Sequence, residues 1–220
     1  TLYSIDHLTG VATAIGPIGF NAVSAMDFDS SGTLYAVGRR PADSVSVLIT
    51  INTTTGVGTV VGPTGVENLG FGDSVSDISF RNSDGALYAY LEAGDGLGTI
   101  NKSTGAITAL GSTGVDCCGN GIAFSSGDVL FHTNENELHT LNQVTGQATV
   151  VAPMTFPVPV SDFPRINAMD YQPGTGVLFG SLLRGNGSAR LSYIVTVDTS
   201  NGVVTMIGQT VTLLDAIAFQ

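Results

Sequence analysis

The chain has 220 residues, of which 43% are hydrophobic and only 11% are charged, and its formal net charge is −11. This acidity argues against nucleic acid and anionic membranes as partners, because both select basic surfaces. No run of about 18 apolar residues is present, so we expect no membrane insertion. Gly, Ser, Thr, Asn and Val are plentiful, which favours strands and turns over long helices.

The most regular feature of the sequence is a turn that recurs five times between strand-like segments. The copies read IDHLTG, INTTTG, INKSTG, LNQVTG and VDTSNG. In such a turn the Asp or Asn side chain accepts backbone N–H bonds two residues on, and the final glycine adopts positive φ. We therefore interpret the five Asp and Asn residues as structural: Asp6, Asn52, Asn101, Asn142 and Asp198.

The spacing of these turns predicts the fold. Successive turn glycines are 46, 49, 41 and 56 residues apart, which suits propeller blades of four antiparallel strands. Five segments that end in an aromatic residue fit the innermost strand of each blade: SAMDF, SDISF, NGIAF, NAMDY and DAIAF. We therefore predict an all-β, five-bladed β-propeller that forms one domain over residues 1–220.

The two chain ends make the fifth blade irregular. DAIAF ends one residue before Gln220, and TLYSID leads directly into the first turn. We therefore expect an inner strand from the C-terminus and outer strands from the N-terminus, with one strand too few. Three alternatives stay open: a three-stranded blade, a sequence that was cut short, or a strand from another copy, because an unpaired edge readily pairs.

Four segments carry a resemblance to a known family. They are LYSIDHLTGVATAIG (residues 2–16), GTLYAVG (32–38), GALYAY (85–90) and LGTINKSTGAITALG (97–111). The sequence resembles secreted bacterial β-propeller proteins with the repeat LYxIDxxTGxxTxIG, which are similar in appearance to YVTN, NHL and gluconolactonase-like propellers. The resemblance implies a propeller fold and a secreted or extracellular surface location. It implies no activity, because the repeat is the scaffold.

Five small polar residues stand four positions before the terminal aromatic residues of the inner segments: Ser24, Ser76, Asn120, Asn167 and Asp215. In the predicted propeller they surround the end of the central channel where the inner strands begin, which we call the mouth. Gluconolactonase-like propellers bind a divalent metal with Glu, Asn and Asp near this place, so the resemblance offers the ring as a Ca²⁺ site. Only one member is charged, so we favour hydrogen bonding at the strand starts.

Most arginines and one Pro- and Phe-rich loop map to the predicted mouth. The arginines are Arg39, Arg40, Arg165, Arg184 and Arg190, and residues 152–165 contribute Phe156 and Phe163. Guanidinium groups recognise carboxylates in a planar geometry, so these residues are candidates for binding an anionic glycan or a carboxylate. Acidic residues share these loops, and a solvated surface of mixed charge is the competing interpretation.

Two further clusters have chemical potential. Cys117 and Cys118 are adjacent, and a strained vicinal disulfide, free thiols and a bridge to another chain all stay open. His132 and His139 are predicted to face each other across a hairpin. We favour ordinary cross-strand packing over a metal clip for this pair, because no third fixed ligand accompanies them.

The leading hypothesis is a secreted, non-enzymatic binding or structural module that recognises a protein or glycan at the cell surface through its mouth loops. We expect no catalytic residues and no cofactor other than the Ca²⁺ considered above. The first alternative is a subunit of a homopolymeric extracellular assembly, joined through the incomplete fifth blade or the cysteines. The second is a metal-dependent lactonase or lyase.

Overall fold

A computed structural model describes residues 1–69, 74–92, 96–115, 120–159, 162–185 and 190–220. Short strands and tight turns make up most of these stretches, and a short 3-10 helix lies at Val66–Leu69. None of their helical structure has the length and apolar character needed to cross a membrane. The strands are β1 (Leu2–Ile5), β2 (Ala12–Gly16), β3 (Asn21–Phe28), β4 (Leu34–Arg39), β5 (Ser46–Ile51), β6 (Gly58–Pro63), β7 (Val75–Phe80), β8 (Leu87–Leu91), β9 (Gly96–Ile100), β10 (Ile107–Ser112), β11 (Ile122–Phe124), β12 (Leu130–Thr133), β13 (Glu137–Leu141), β14 (Ala148–Pro153), β15 (Arg165–Tyr171), β16 (Leu178–Arg184), β17 (Leu191–Val197) and β18 (Val204–Gln209).

Sixteen of these strands form four antiparallel sheets of four strands each, with the strands in chain order. The first blade is β3–β6, the second β7–β10, the third β11–β14 and the fourth β15–β18. Their first strands are the inner ones, and these contact one another from blade to blade around a common axis. An all-β propeller with four-stranded antiparallel blades is therefore confirmed.

The predicted count of five blades, with the fifth one strand short, is wrong for the described residues, because only four blades are present there. The other two strands, β1 and β2, form a separate antiparallel hairpin, which we call the terminal hairpin. Residues 215–219, which we call the C-terminal segment, contain no strand, although a strand was predicted there. The physical reason is that, among the described residues, no second strand lies beside this segment to supply ladder hydrogen bonds.

The C-terminal segment nevertheless packs like an inner strand. The backbone N–H of Phe219 donates a 2.6 Å hydrogen bond to Asp170 of the fourth blade. Ile217 is 8% exposed and packs against Ala168 and Phe179 of the same blade. Burial of apolar side chains and hydrogen bonds to side chains therefore hold the segment in the absence of a sheet.

The repeated turn has the predicted hydrogen bonding in all five copies. Asn52 illustrates it, because its Oδ1 accepts the backbone N–H of Thr54 at 2.9 Å. The five terminal glycines of these turns have φ between 73° and 81°, a range that disfavours any side chain. The equivalent acceptors are Asp6, Asn101, Asn142 and Asp198.

A second role of the turn glycines is to let neighbouring blades approach closely. A Cβ atom on Gly146 of the third blade would lie 2.6 Å from the carbonyl oxygen of Gly111 in the second blade. The same contact joins the fourth blade to the terminal hairpin and the hairpin to the first blade. The series of contacts therefore runs around the whole molecule and includes the hairpin; its other pairs are Gly10 with Gly208, Gly56 with Gly16, Gly105 with Gly62, and Gly202 with Pro153.

Aromatic pairs fill the space between neighbouring blades near the axis. In each pair an aromatic residue of a second strand meets the aromatic residue that ends the next inner segment. The ring centroids are 4.8–6.2 Å apart, which is the range of favourable aromatic contacts. The pairs are Tyr35 with Phe80, Tyr88 with Phe124, Phe131 with Tyr171, and Phe179 with Phe219.

Candidate functional site

A cavity of about 710 Å³ opens at the end of the axis where the inner strands finish. We call it the axial cavity, and it lies at the opposite end from the mouth, where those strands begin. The turns between first and second strands surround it. Its wall includes the aromatic residues that end the five inner segments, namely Phe28, Phe80, Phe124, Tyr171 and Phe219.

Two carboxylates, the buried Asp27 and the half-buried Asp170, line this cavity. Asp27 accepts the backbone N–H of Phe80 in the next blade at 2.7 Å. Asp170 accepts the backbone N–H of Phe219 in the C-terminal segment at 2.6 Å. Each carboxylate also accepts the N–H of the residue that follows it, at 2.7 Å. These side chains therefore join adjacent inner segments that share no ladder hydrogen bonds.

The second blade contributes two more side chains of this kind. Asp77 is fully buried, and its Oδ2 accepts backbone N–H groups of Ile122 at 2.8 Å and Met169 at 3.0 Å. These donors belong to the third and fourth blades, so the carboxylate of Asp77 joins three blades. Ser79 accepts the N–H of Phe124 at 3.0 Å. The sequence did not lead us to predict a role for these three aspartates or for Ser79. For the aspartates, the available signal was an Asp one or three positions before the aromatic residue that ends the inner segment.

Burial changes the protonation of the three carboxyl groups. Desolvation raises the pKa of Asp77 well above its ordinary value, and it does the same for Asp27 together with the nearby charge of Asp170. Desolvation also raises the pKa of Asp170 to about 7, although backbone hydrogen bonds from Phe219 and Tyr171 oppose the shift. Asp170 therefore changes charge near neutral pH, at the wall of the axial cavity.

The rim of the axial cavity carries one further carboxylate and one guanidinium group. The pKa of Asp29 is lower than its ordinary value. Partial burial acts to raise this pKa, but the hydrogen bonds from Ser31 and Thr33 together lower it by more. Arg81 is bonded to Asp84 through two nitrogen atoms, at 2.9 and 2.5 Å. Among the described lining residues Arg81 is the only basic one, so the lining is acidic.

The predicted ring at the mouth forms local hydrogen bonds. Ser24 Oγ donates to the carbonyl oxygen of Val75 in the next blade. Ser76 Oγ lies 3.5 Å from the carbonyl oxygen of Tyr90 and donates to it. These two contacts fit the favoured interpretation, in which the ring ties the starts of the inner strands to their neighbours.

The other three members of the ring behave differently from one another. Asn167 Nδ2 donates to Asp215 Oδ1 at 3.2 Å, and burial raises the pKa of Asp215. Asn120 is 5% exposed, and its Oδ1 accepts no hydrogen bond in the described part of the chain. No group of three or more His, Cys, Asp or Glu side chains suited to a metal ion occurs within the described stretches.

Two of the predicted ligand-binding arginines are engaged in ion pairs. Arg40 bonds Asp43 through two nitrogen atoms, at 3.0 and 2.6 Å. Arg184 lies 2.9 Å from Asp162. Pairs at such exposed sites contribute little to stability, and each one occupies the guanidinium group.

Three further arginines stand near the mouth. Arg39 Nη2 donates to Ser74 Oγ at 3.4 Å. Burial, and then the charge of Arg190, lower the pKa of Arg165. The Nε of Arg190 is buried and donates no hydrogen bond within the described residues. The structure thus brings together Arg165, Arg190 and Asp215, which influence one another electrostatically.

The remaining predicted residues have separate surroundings. Phe156 is half-buried and packs on the core of the fourth blade, whereas Phe163 is 51% exposed. His132 and His139 lie opposite each other as predicted, and His132 stacks on Tyr90 at 4.3 Å. Burial lowers the pKa of His132 to about 3. The proposed vicinal disulfide of Cys117 and Cys118 lies outside the described residues.

No protein-family model and no curated protein sequence matches the chain. Solved structures do resemble it. A structural genomics protein of unknown function from Bacteroides thetaiotaomicron has a TM-score of 0.56 at 16% identity, over 86% of this chain and 44% of that one. A chain of a nidogen/laminin complex has a TM-score of 0.55 at 12% identity, over 94% and 90%.

Two bacterial proteins extend the comparison. The PQQ-bound aldose sugar dehydrogenase of Streptomyces coelicolor has a TM-score of 0.53 at 16% identity, over 84% of this chain and 62% of that one. An auxiliary nutrient binding protein of Bacteroides ovatus has a TM-score of 0.52 at 13% identity, over 86% and 42%. The chain therefore spans less than two thirds of three of these four structures. At these identities the likeness shows the fold alone.

Proposed function

We propose that the chain is a non-enzymatic binding module that takes a small organic cation into the axial cavity. The observation that carries this proposal is the meeting of aromatic rings and carboxylates in one cavity at the end of the propeller axis. Small-molecule sites are concave and combine aromatic or apolar walls with polar groups that fix the ligand.

The charge of the ligand follows from the lining. Asp27, Asp29 and Asp170 are acidic, and Arg81 already pairs with Asp84. Aromatic rings attract cations through the negative potential of their faces. The net charge of −11 adds a long-range attraction for cations. An amine or guanidinium compound therefore suits the cavity better than a neutral or anionic one.

A binding role also suits the hydrogen bonding of the carboxylates. Both oxygen atoms of Asp27 and of Asp170 accept backbone N–H groups. Backbone N–H groups therefore hold each carboxyl group in a fixed position at the cavity wall. Above about pH 7 the ionised Asp170 presents negative charge to the cavity, which is what the binding of a cation requires.

We also propose that the protein is secreted or extracellular, as its composition and repeat type suggest. Anion recognition at the mouth, for a protein or glycan partner, is a second candidate function. It is favoured by the buried Nε of Arg190, which donates no hydrogen bond to the described residues and lies beside Arg165 and Asp215. A homopolymeric assembly and a metal-dependent lactonase or lyase are further hypotheses, which size-exclusion chromatography and elemental analysis of purified protein will test.

Isothermal titration calorimetry tests the main proposal. The probes are choline and arginine methyl ester as cations, glucose as a neutral compound and acetate as an anion, each at pH 8 and pH 5. We expect the cations alone to bind, more tightly at pH 8 because Asp170 is then ionised. Failure of both cations to bind at pH 8, or equal binding of glucose, would overturn the proposal.

A matched pair of variants locates the site. Asp29→Asn removes a charge at the rim and keeps an oxygen atom that accepts the turn hydrogen bonds from Ser31 and Thr33. Asp43→Asn removes an exposed charge that does not line the cavity. We expect weaker binding of the cations in the first variant and unchanged binding in the second. Equal effects of the two substitutions would mean that only net charge matters, which contradicts a defined site.

A further inference from the structure

A pair of buried histidines lies between the two middle strands of the third blade. His132 of β12 and His139 of β13 lie directly opposite each other in the ladder, with their ring centroids 5.8 Å apart. The two residues are 0% and 2% exposed. Tyr90 of the second blade stacks on the ring of His132. The pair is therefore enclosed between two neighbouring blades, and neither histidine lines the axial cavity.

The other complete blades show that the fold needs no polar pair at this place. His132 is the third residue of its strand, and the third residue of each other second strand lies opposite a residue of the third strand in the same way. In the other blades both members of the pair are apolar or glycine: Ala36 with Ile49, Ala89 with Gly98, and Gly180 with Val195. The histidine pair is therefore a property of the third blade and not of the repeated scaffold.

One nitrogen of each ring is fixed by an oxygen acceptor. His132 Nδ1 lies 3.2 Å from the carbonyl oxygen of Gly121, and His139 Nε2 lies 3.3 Å from the carboxylate of Glu137. Carbonyl and carboxylate oxygens only accept, so these two nitrogens carry the hydrogen. Burial favours the neutral form of an imidazole ring. The second nitrogen of each ring therefore carries a lone pair, which is Nε2 in His132 and Nδ1 in His139.

Both lone pairs are buried, and neither accepts a hydrogen bond from the described residues. A buried acceptor left in this state costs about 1–3 kcal/mol. Packing alone therefore does not account for two histidines where the other blades have apolar residues. A third buried acceptor of this kind, Asn120 Oδ1, lies two positions before Ile122, which is opposite His132 in the ladder. A cation satisfies such acceptors.

The surroundings of the two rings have the features of a metal site. Histidines that bind a metal usually donate their other ring N–H to a carbonyl or carboxylate oxygen, as His132 and His139 do. Two imidazole nitrogens about 2.0–2.1 Å from a shared ion place their ring centroids roughly 5–6.5 Å apart. The observed 5.8 Å lies within this range. Imidazole suits zinc, copper and nickel, whereas Ca²⁺ and Mg²⁺ select oxygen ligands.

We propose that His132 Nε2 and His139 Nδ1 together bind one transition-metal ion of the class that prefers imidazole ligands. Solvent or the amide oxygen of Asn120 completes its coordination. Glu137 is a positioning residue, which orients the ring of His139 and offsets part of the charge of the ion. The Glu137 side chain is 43% exposed, so the ion enters beside it. This site is independent of cation binding in the axial cavity.

NMR of the histidine ring nitrogens in the unmodified protein tests the proposal, with Zn²⁺ as the probe and Ca²⁺ as the control ion. The chain has three histidines, and His7, which contacts Phe179 and Phe219, is the internal reference. We expect Zn²⁺ to shift Nε2 of His132 and Nδ1 of His139 and to leave His7 unchanged, and Ca²⁺ to shift none of them. Absence of a Zn²⁺ shift at either of the two nitrogens would overturn the proposal, even where Zn²⁺ binds elsewhere.

A matched pair of glutamate variants tests the positioning role. Glu137→Ala removes the carboxylate that holds His139, and Glu135→Ala removes an exposed carboxylate from the same hairpin. We expect calorimetry to find Zn²⁺ binding about 10–100-fold weaker in the first variant and unchanged in the second. Equal affinities of the two variants would contradict a site that contains His139.

Thermal unfolding with and without Zn²⁺ tests the ligands themselves. An ion that binds only the folded state raises the midpoint of unfolding. We expect this rise in the unmodified protein and in His7→Gln, and its loss in His139→Gln. A rise that persists in His139→Gln would place the bound ion elsewhere and overturn the proposal.

Discussion

The Oδ2 atom of Asp27 in the first blade accepts a 2.7 Å hydrogen bond from the backbone N–H of Phe80 in the second. This bond crosses between two sheets that share no ladder. Ser79 and Asp170 repeat it toward the third blade and toward the C-terminal segment. A polar residue next to the terminal aromatic residue therefore joins neighbouring inner segments at three places around the axis.

Removal of this bond should destabilise the protein. We predict that Asp27→Ala lowers the free energy of unfolding by about 1–3 kcal/mol, since the buried N–H of Phe80 loses its acceptor. Urea denaturation measures the change. Asp43→Ala, an exposed control, should stay within about 0.5 kcal/mol of the unmodified protein. Equal stability of the two variants would show that the bond between the blades contributes nothing measurable.

Asp170 should make stability depend on pH. The pKa of Asp170 is about 7 in the folded state and 3.8 ordinarily. Between pH 3.8 and pH 7 the folded state therefore keeps a proton that the unfolded state has lost. This contribution lowers stability as pH rises through that window, by at most about 4 kcal/mol. Relative to the unmodified protein, Asp170→Asn should therefore gain stability from pH 4 to pH 8 in thermal unfolding. A constant difference between the two proteins across this range would contradict the raised pKa.

His132 should contribute the opposite slope. Its folded pKa of about 3 lies below the ordinary 6.5, so below pH 6.5 the unfolded state binds a proton that the folded state excludes. This contribution lowers stability as pH falls, by at most about 5 kcal/mol near pH 3. His132→Gln, compared with the unmodified protein from pH 7 to pH 4, should lose less stability. Parallel curves would indicate that the buried histidine accepts a proton at its ordinary pKa.

Two glycines separate the cost of backbone conformation from the cost of a close contact. Gly146 (φ 81°) and Gly174 (φ 77°) both have positive φ, but only Gly146 faces backbone atoms of the neighbouring blade. We predict that Gly174→Ala costs about 1–2 kcal/mol from conformation alone. Gly146→Ala should cost more, because its Cβ would lie 2.6 Å from the carbonyl oxygen of Gly111. Chemical denaturation compares them, and equal losses would contradict the interlocking of the blades.

The sequence predicted the features that are local. The turn around Asn52 needs only neighbouring residues, so its hydrogen bonds and its positive-φ glycine followed from the pattern. The four-stranded blades followed from the period of these turns. The opposition of His132 and His139 followed from the length of a single hairpin loop.

The features that depend on distant residues were not predicted. Asp77 accepts a hydrogen bond from Met169, which lies 92 residues away, and no local pattern reveals that pairing. The strand that was predicted in the C-terminal segment does not form, because the described residues place no strand beside it with which it could pair. The axial cavity was not predicted either, because residues from every blade line it. The predicted ligand-binding arginines lie instead at the mouth, at the opposite end of the axis.

The amide exchange of Phe219 is the most direct test of ring closure by the C-terminal segment. Its N–H donates to Asp170, as that of Phe80 donates to Asp27. We predict that NMR hydrogen exchange finds the Phe219 amide protected in the unmodified protein and exposed in Asp170→Ala. Exchange of this amide at the rate of an unstructured chain end in the unmodified protein would contradict closure of the ring.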